Sequence, residues 1–184
     1  YEGLEDLVEA LAQLKDKHID FRFLLVGNET PTKHGTTPVT DQILKTIQKH
    51  NLQNHVIMPG RVPHAEVADY YSLIDIAPFS RKPWPVCEMV SPMKPLEAMA
   101  MQKAVVVPSV AALCDMVSDG KTGVIYPKGN TQALAATLEK LIQSAELRNT
   151  LGTAARAWVM QERTWARIGQ KAQDVFAQTP PATL

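Results

Sequence analysis

The chain has 184 residues, 45% of them hydrophobic and 21% charged, a composition that suits a folded globular domain and excludes a disordered segment. Nineteen basic and nineteen acidic residues cancel, so no overall field favours nucleic acid or an anionic membrane, and any phosphate recognition must be local. No apolar run approaches the roughly 20 residues of a membrane span, and Cys87 and Cys114, without metal-ligand spacing or a secretory leader, read as reduced thiols of a cytoplasmic protein.

Leu4, Leu7, Val8, Leu11 and Leu14 recur at helical spacing and predict a helix over 3–16. The apolar run Phe21 to Gly27 predicts a buried strand ending at glycine, and the Gly/Pro/Thr-rich stretch 28–38 predicts a loop. A helix over 39–50, a strand over 55–59 and the turn Gly60-Arg61-Val62-Pro63 follow. Next come a helix over 64–73, a strand over 74–78 and a proline-rich loop over 79–92. A helix over 93–101 runs directly into a β-branched strand over 104–108. A short helix near 110–117, the turn Asp119 to Gly123 and a strand over 123–126 complete the alternation. The last third is helical over 131–143, 146–161 and 164–177, and the tail 179–184 is expected to fray.

Strands alternate with helices through short connections, and each strand is a continuous apolar run, as expected for strands buried on both faces. This predicts an α/β fold with an open parallel sheet and helices on both sides. Ligands of such sheets bind at the carboxyl ends of the strands, so the loops after Val26, Pro59, Pro78 and Pro108 share the candidate edge.

The segment Cys87 to Ser109 carries the densest chemistry on that edge. Glu88 and Glu97 flank a proline-punctuated turn that opens a helix, with Pro92 and Pro95 at or before its first turn, where backbone N–H groups lack internal partners. Free amides, the positive end of a helix dipole and the Lys94 ammonium suit a phosphate. Carboxylates on either side of it suit hydroxyl groups, and a sugar nucleotide combines ribose, diphosphate and hexose in that order.

Leu96-Glu97-Ala98-Met99-Ala100, followed by Lys103-Ala104-Val105-Val106-Val107, resembles the donor-binding motif of the retaining glycosyltransferases of group 1, or family 4. Tyr1 to Leu11, Leu24 to Gly27, Gly60-Arg61-Val62 and Asp119 to Gly123 extend the resemblance over nearly the whole chain. The first half of the motif departs from the family pattern. Glu88 precedes Glu97 by nine positions rather than eight, Met89 holds the strict slot, and Ser91-Pro92-Met93-Lys94 replaces the glycines. The segment is similar to a subgroup pattern, E-x-V-[ST]-P-x-K-P-L-E, that keeps the nine-residue spacing.

The resemblance implies a Rossmann-like domain forming one half of a two-domain GT-B enzyme. Residues 1–178 would be its nucleotide-sugar-binding half, a fragment without the N-terminal acceptor-binding domain and the first strand. Glu97 would accept hydrogen bonds from the ribose hydroxyls, against the alternative of an acidic residue that merely favours the helix dipole. Glu88 would hold the donor sugar near its anomeric centre, without acting as a nucleophile, against the alternative of a solvated loop acid. Lys94, with Ser91, Met93 and Leu96, would cradle the diphosphate. Gly27 and Gly60-Arg61-Val62 would line the base pocket with backbone groups. Arg81 and Lys82 either reach the diphosphate or an acidic acceptor, or are solvent-facing charges on a mobile loop. Transfer would proceed on one face of the sugar, with the leaving diphosphate stabilised electrostatically.

The implied partner is a nucleoside-diphosphate sugar of UDP or GDP type, with no cofactor, no metal and no nucleic acid. The five histidines are scattered without ligand spacing. The implied location is cytoplasmic, including the inner face of the membrane, where contact would run only through the absent domain. Trp158 and Trp165 are expected to pack, and Met89, Met93, Met99 and Met101 to fill core gaps. Two other functions fit the architecture. A nucleotide-sugar epimerase would need a crevice of His and acidic groups around the hexose, and a non-catalytic regulatory α/β module would need no donor site at all.

Overall fold

In the computed structural model, which describes residues 1–178, five short parallel strands alternate with nine helices. The predicted tail 179–184 lies outside the described residues. Helix α1 (Leu4–Asp16) leads to β1 (Phe23–Val26), α2 (Pro38–Lys49) and β2 (Val56–Gly60). A 3₁₀ turn, His64–Glu66, and α3 (Val67–Ser72) stand where one helix over 64–73 is predicted, and β3 is Ile76–Pro78.

The predicted loop 79–92 contains a helix, α4 (Pro85–Met89). Pro85 sits in its first turn, where the fixed φ of proline is already helical and its missing N–H costs nothing. Trp84, ahead of a proline, is correspondingly extended. Then come α5 (Lys94–Ala100), β4 (Ala104–Pro108), α6 (Ala111–Cys114), β5 (Val124–Tyr126), α7 (Thr131–Gln143), α8 (Ala145–Glu162) and α9 (Trp165–Gln178). Side chains cap α7 and α8 at their starts. Asn130 accepts from Ala133 N at 2.8 Å, and Ser144 accepts from Leu147 N at 3.1 Å.

The strands form two parallel sheets rather than one, with orders β1-β2 and β3-β4-β5. Only β4 is buried along its whole length, which corrects the expectation that every strand is covered on both faces. Alternation explains the difference. Ala104 and Val106 face a core built with Leu7, Val8, Leu11 and Leu14 of α1 and Leu134, Leu138 and Leu141 of α7. Val105 and Val107 face a second core with Ala98 and Met99 of α5, Leu113 of α6 and Ala155 of α8. Phe23, Leu25 and Val56 pack against the first core, whereas Val26 and Ile57, on the alternate positions, remain exposed.

Two packing expectations need correction. Met99 fills the second core, but Met89 and Met93 are exposed. Trp158 packs against the second core, but Trp165 on α9 is 81% exposed, because α9 buries none of its residues.

Candidate functional site

Every candidate residue lies at or beyond the carboxyl end of a strand. Gly27 follows β1, Gly60 ends β2, the segment 80–97 follows β3, and α6 and Lys128 follow β4 and β5. This is the edge at which parallel α/β sheets bind ligands.

Helix α5 is placed by its apolar face. Pro95, Ala98 and Met99 are buried, which leaves Glu97 exposed on the first turn. One Glu97 oxygen, Oε2, accepts from the Tyr71 hydroxyl at 3.1 Å, and the same hydroxyl lies 3.3 Å from the Lys94 carbonyl. Burial of the phenol, and then the neighbouring Glu97 charge, push the Tyr71 pKa well up, so that it stays a neutral donor. Lys94 is exposed and paired with Glu2 at 3.3 Å. Ser91 and Met93 are exposed just ahead of the helix, and Leu96 packs against the second core.

Glu88, on α4, is not a free loop acid. Its Oε2 accepts from Ala111 N at 2.7 Å and its Oε1 from Lys128 Nζ at 2.6 Å. The Ala111 amide, and after it Lys128, hold the carboxyl below its ordinary range. Lys128 is itself anchored, since its backbone N–H donates to Ser109 Oγ at 3.0 Å. Among the described residues no hydrogen bond or ion pair joins Glu88 to Lys94 or to Glu97.

Arg81 and Lys82 are not solvent-facing charges. Arg81 is only 6% exposed, donates to the Val90 carbonyl at 3.4 Å, and lies over the Tyr1 ring at 5.5 Å from its centre. Lys82 pairs with Glu5 and Asp6, each at 2.9 Å. Lys82 N also donates to the Tyr1 carbonyl at 3.0 Å, and Ser80 Oγ donates to the Glu2 carbonyl at 3.0 Å. The segment after β3 is therefore stitched to the start of α1. Gly3 opens this start at φ 67°, a left-handed conformation that glycine adopts without strain.

On the other sheet Gly27 N donates to Gly60 O at 2.9 Å, which joins the ends of β1 and β2. Arg61 is exposed and Val62 half-buried immediately beyond. Two site residues escape sequence reasoning, Tyr71 and Lys128. Tyr71 sits in the run Val67 to Ser72, where an aromatic reads as core packing. Lys128 had a usable signal, since it lies two residues beyond a strand and precedes the turn residues Gly129-Asn130. Among the described residues no group of three or more His, Cys, Asp or Glu side chains could hold a metal ion, and no helix is long and apolar enough to cross a membrane.

Comparison with known proteins places these observations in a family context. The family model described as "Glycosyl transferases group 1" matches residues 1–158. An alpha-D-kanosaminyltransferase from Streptomyces kanamyceticus is 24% identical over 176 residues, covering 96% of this chain and 42% of the relative. The chain thus spans less than half the length of that curated relative. HepE from Anabaena, solved in complex with UDP, superposes with a TM-score of 0.79 at 21% identity, over 97% of this chain and 46% of that one. The C-terminal domain of a group 1 family glycosyl transferase from Francisella tularensis superposes with a TM-score of 0.77 at 20% identity, over 89% of this chain and 80% of that one.

Proposed function

The chain belongs to the group 1 glycosyl transferases, and on that premise we propose that residues 1–178 are the donor-binding half of a retaining enzyme that transfers a hexose from a nucleoside diphosphate. The observation that carries this reading is the position of Glu97. Within the matched region it is an exposed carboxylate on the first turn of α5, with one oxygen held by Tyr71 and the other without a hydrogen-bond partner among the described residues. An open carboxylate oxygen accepts strongly from vicinal ribose hydroxyls. HepE was solved with UDP, which makes UDP the first nucleotide to test, with GDP beside it.

In this reading the diphosphate lies beside Lys94 and the backbone of Ser91, Met93 and Leu96. The exposed pair of Lys94 with Glu2 is weak in water and exchanges readily for a phosphate. Lys94 then stabilises the charge that grows on the departing diphosphate. Glu88, kept ionised by Ala111 N and Lys128, faces the hexose hydroxyls. Arg81 acts from beneath by fixing Val90 ahead of the phosphate turn. Gly27, Gly60, Arg61 and Val62 offer backbone groups to the base. A second domain outside these residues binds the acceptor and closes over the donor, and any contact with a membrane surface runs through it. No observation favours the epimerase or the regulatory module.

A thermal-shift titration tests the proposal. UDP or GDP should raise the melting temperature of the chain. Glu97→Ala should weaken that binding by about 10- to 100-fold, the loss of a charged hydrogen bond. No stabilisation by either nucleotide, or full binding by the variant, would refute it.

A further inference from the structure

Glu97 offers two oxygens, and among the described residues only one has a hydrogen-bond partner. Oε2 is taken by the Tyr71 hydroxyl at 3.1 Å. The phenol has a single proton and two acceptors within reach, the carboxylate and the Lys94 carbonyl at 3.3 Å. The carboxylate is charged and nearer, so the proton goes there.

Tyr71 is well placed to impose an orientation. It lies near the end of α3, the element that follows β2, and its ring packs with the second core alongside Leu96. A half-buried phenol held by core packing has few rotamers, whereas an exposed glutamate on a helix surface has many. A bond between them transfers the order of the core to the carboxylate. It also joins two elements through residues 26 positions apart in sequence, one element following the Gly60-Arg61-Val62 turn and one following the phosphate turn.

We infer that Tyr71 is a positioning residue for Glu97: by holding Oε2 it selects the rotamer that presents Oε1 to the ribose hydroxyls of the nucleotide. This rests on the donor-site reading above. Tyr71 touches no part of the nucleotide in this arrangement and acts only through Glu97.

The test is a double-mutant cycle on the full chain, read by calorimetric titration with UDP and GDP and continued with the tighter of the two. Tyr71→Phe removes one hydroxyl and leaves the ring, and its melting temperature without ligand checks that the fold survives. If that variant does not fold, Tyr71→His, whose shorter ring does not extend to Glu97, takes its place in the same cycle and is read by the same three results. Three results support the inference together. Tyr71→Phe weakens binding by about 3- to 10-fold. The added effect falls below twofold in the Glu97→Ala background. The 2′,3′-dideoxy form of the nucleotide binds wild type and Tyr71→Phe alike. An unchanged affinity in Tyr71→Phe overturns the inference, as does a loss that persists without Glu97 or with the dideoxy nucleotide. The donor-site reading fails separately, through undiminished binding by Glu97→Ala or no binding of either nucleotide by wild type, and the inference falls with it.

Discussion

Glu88 and Lys128, 40 positions apart in sequence, meet with Oε1 and Nζ separated by 2.6 Å, while the other Glu88 oxygen closes on the first amide of α6. One side chain thereby ties α4 to the loops after β4 and β5. The carboxyl is held below the ordinary glutamate value of 4.5 by the Ala111 amide first and by Lys128 second. A folded-state pKa below the unfolded one stabilises the fold at pH above about 4.5, and that stabilisation is lost as pH falls through the folded value. Glu88→Gln should therefore lower the melting temperature at pH 7, and the two melting temperatures should draw together as pH falls below 4.5. Melting followed by circular dichroism from pH 2 to 8 measures this. A constant offset across the range would show that the carboxylate charge is not responsible.

Lys82 gives the opposite sign. Burial opposes its charge, but the bonds to Asp6 and Glu5 outweigh burial and raise its pKa above 10.5. Its contribution is complete below that value and fades as pH rises through the folded pKa. Lys82→Met should cost about 1 kcal/mol at pH 7, the sum of two partly exposed ion pairs. The difference from wild type should shrink above pH 11. Urea unfolding at pH 7 and 11 tests both statements, and an equal loss at the two values would count against them.

The two cysteines should separate cleanly under alkylation. Cys87 is buried beneath the site and Cys114 is exposed on α6. Burial, then Asp115 and Glu88, raise the Cys114 thiol above its ordinary value, so less of it is thiolate at neutral pH. Iodoacetamide at pH 8 should modify one thiol of the native chain, more slowly than it modifies a free peptide thiol, and the second only in denaturant. Glu88→Gln should quicken the first reaction. Mass spectrometry identifies the labelled residue, and labelling of Cys87 in the native state would contradict the packing.

Most elements were legible because local signals sufficed. The stripe Leu4 to Leu14 marked α1, and the run Ala104 to Pro108 gave β4 with its observed bounds. Glu97 was legible as a carboxylate at a helix start. The misses are non-local. Sheet pairing depends on which strands meet, and no run of apolar residues records that β1 and β3 belong to different sheets. Helix α4 was hidden by prolines that read as a loop, although Pro85 is at a first turn. Tyr71 and Lys128 act across 26 and 40 positions, distances over which periodicity carries no information.

Gly152 shows the same limit and yields a sharp test. In sequence it is an isolated glycine inside a helical run, which lowers helix propensity without stating a purpose. In the structure α8 crosses the end of α5 there, and a Cβ at Gly152 would lie 2.2 Å from the Gln102 carbonyl oxygen and 2.9 Å from its carbon. The crossing is fastened on both sides. Gln102 donates to Thr153 Oγ1 at 3.0 Å, and Arg156 donates to the Ala100 carbonyl. The obstructing atoms are backbone, so neither helix can yield by turning a side chain. Propensity alone predicts that Gly152→Ala stabilises α8 by about 1 kcal/mol. The contact predicts the reverse, a loss of about 1–3 kcal/mol from overpacking. Displacing the end of α5 should also weaken nucleotide binding through Glu97. Urea unfolding of Gly152→Ala decides between them, because the two effects differ in sign, and a stabilised variant would mean that α8 does not press on Gln102.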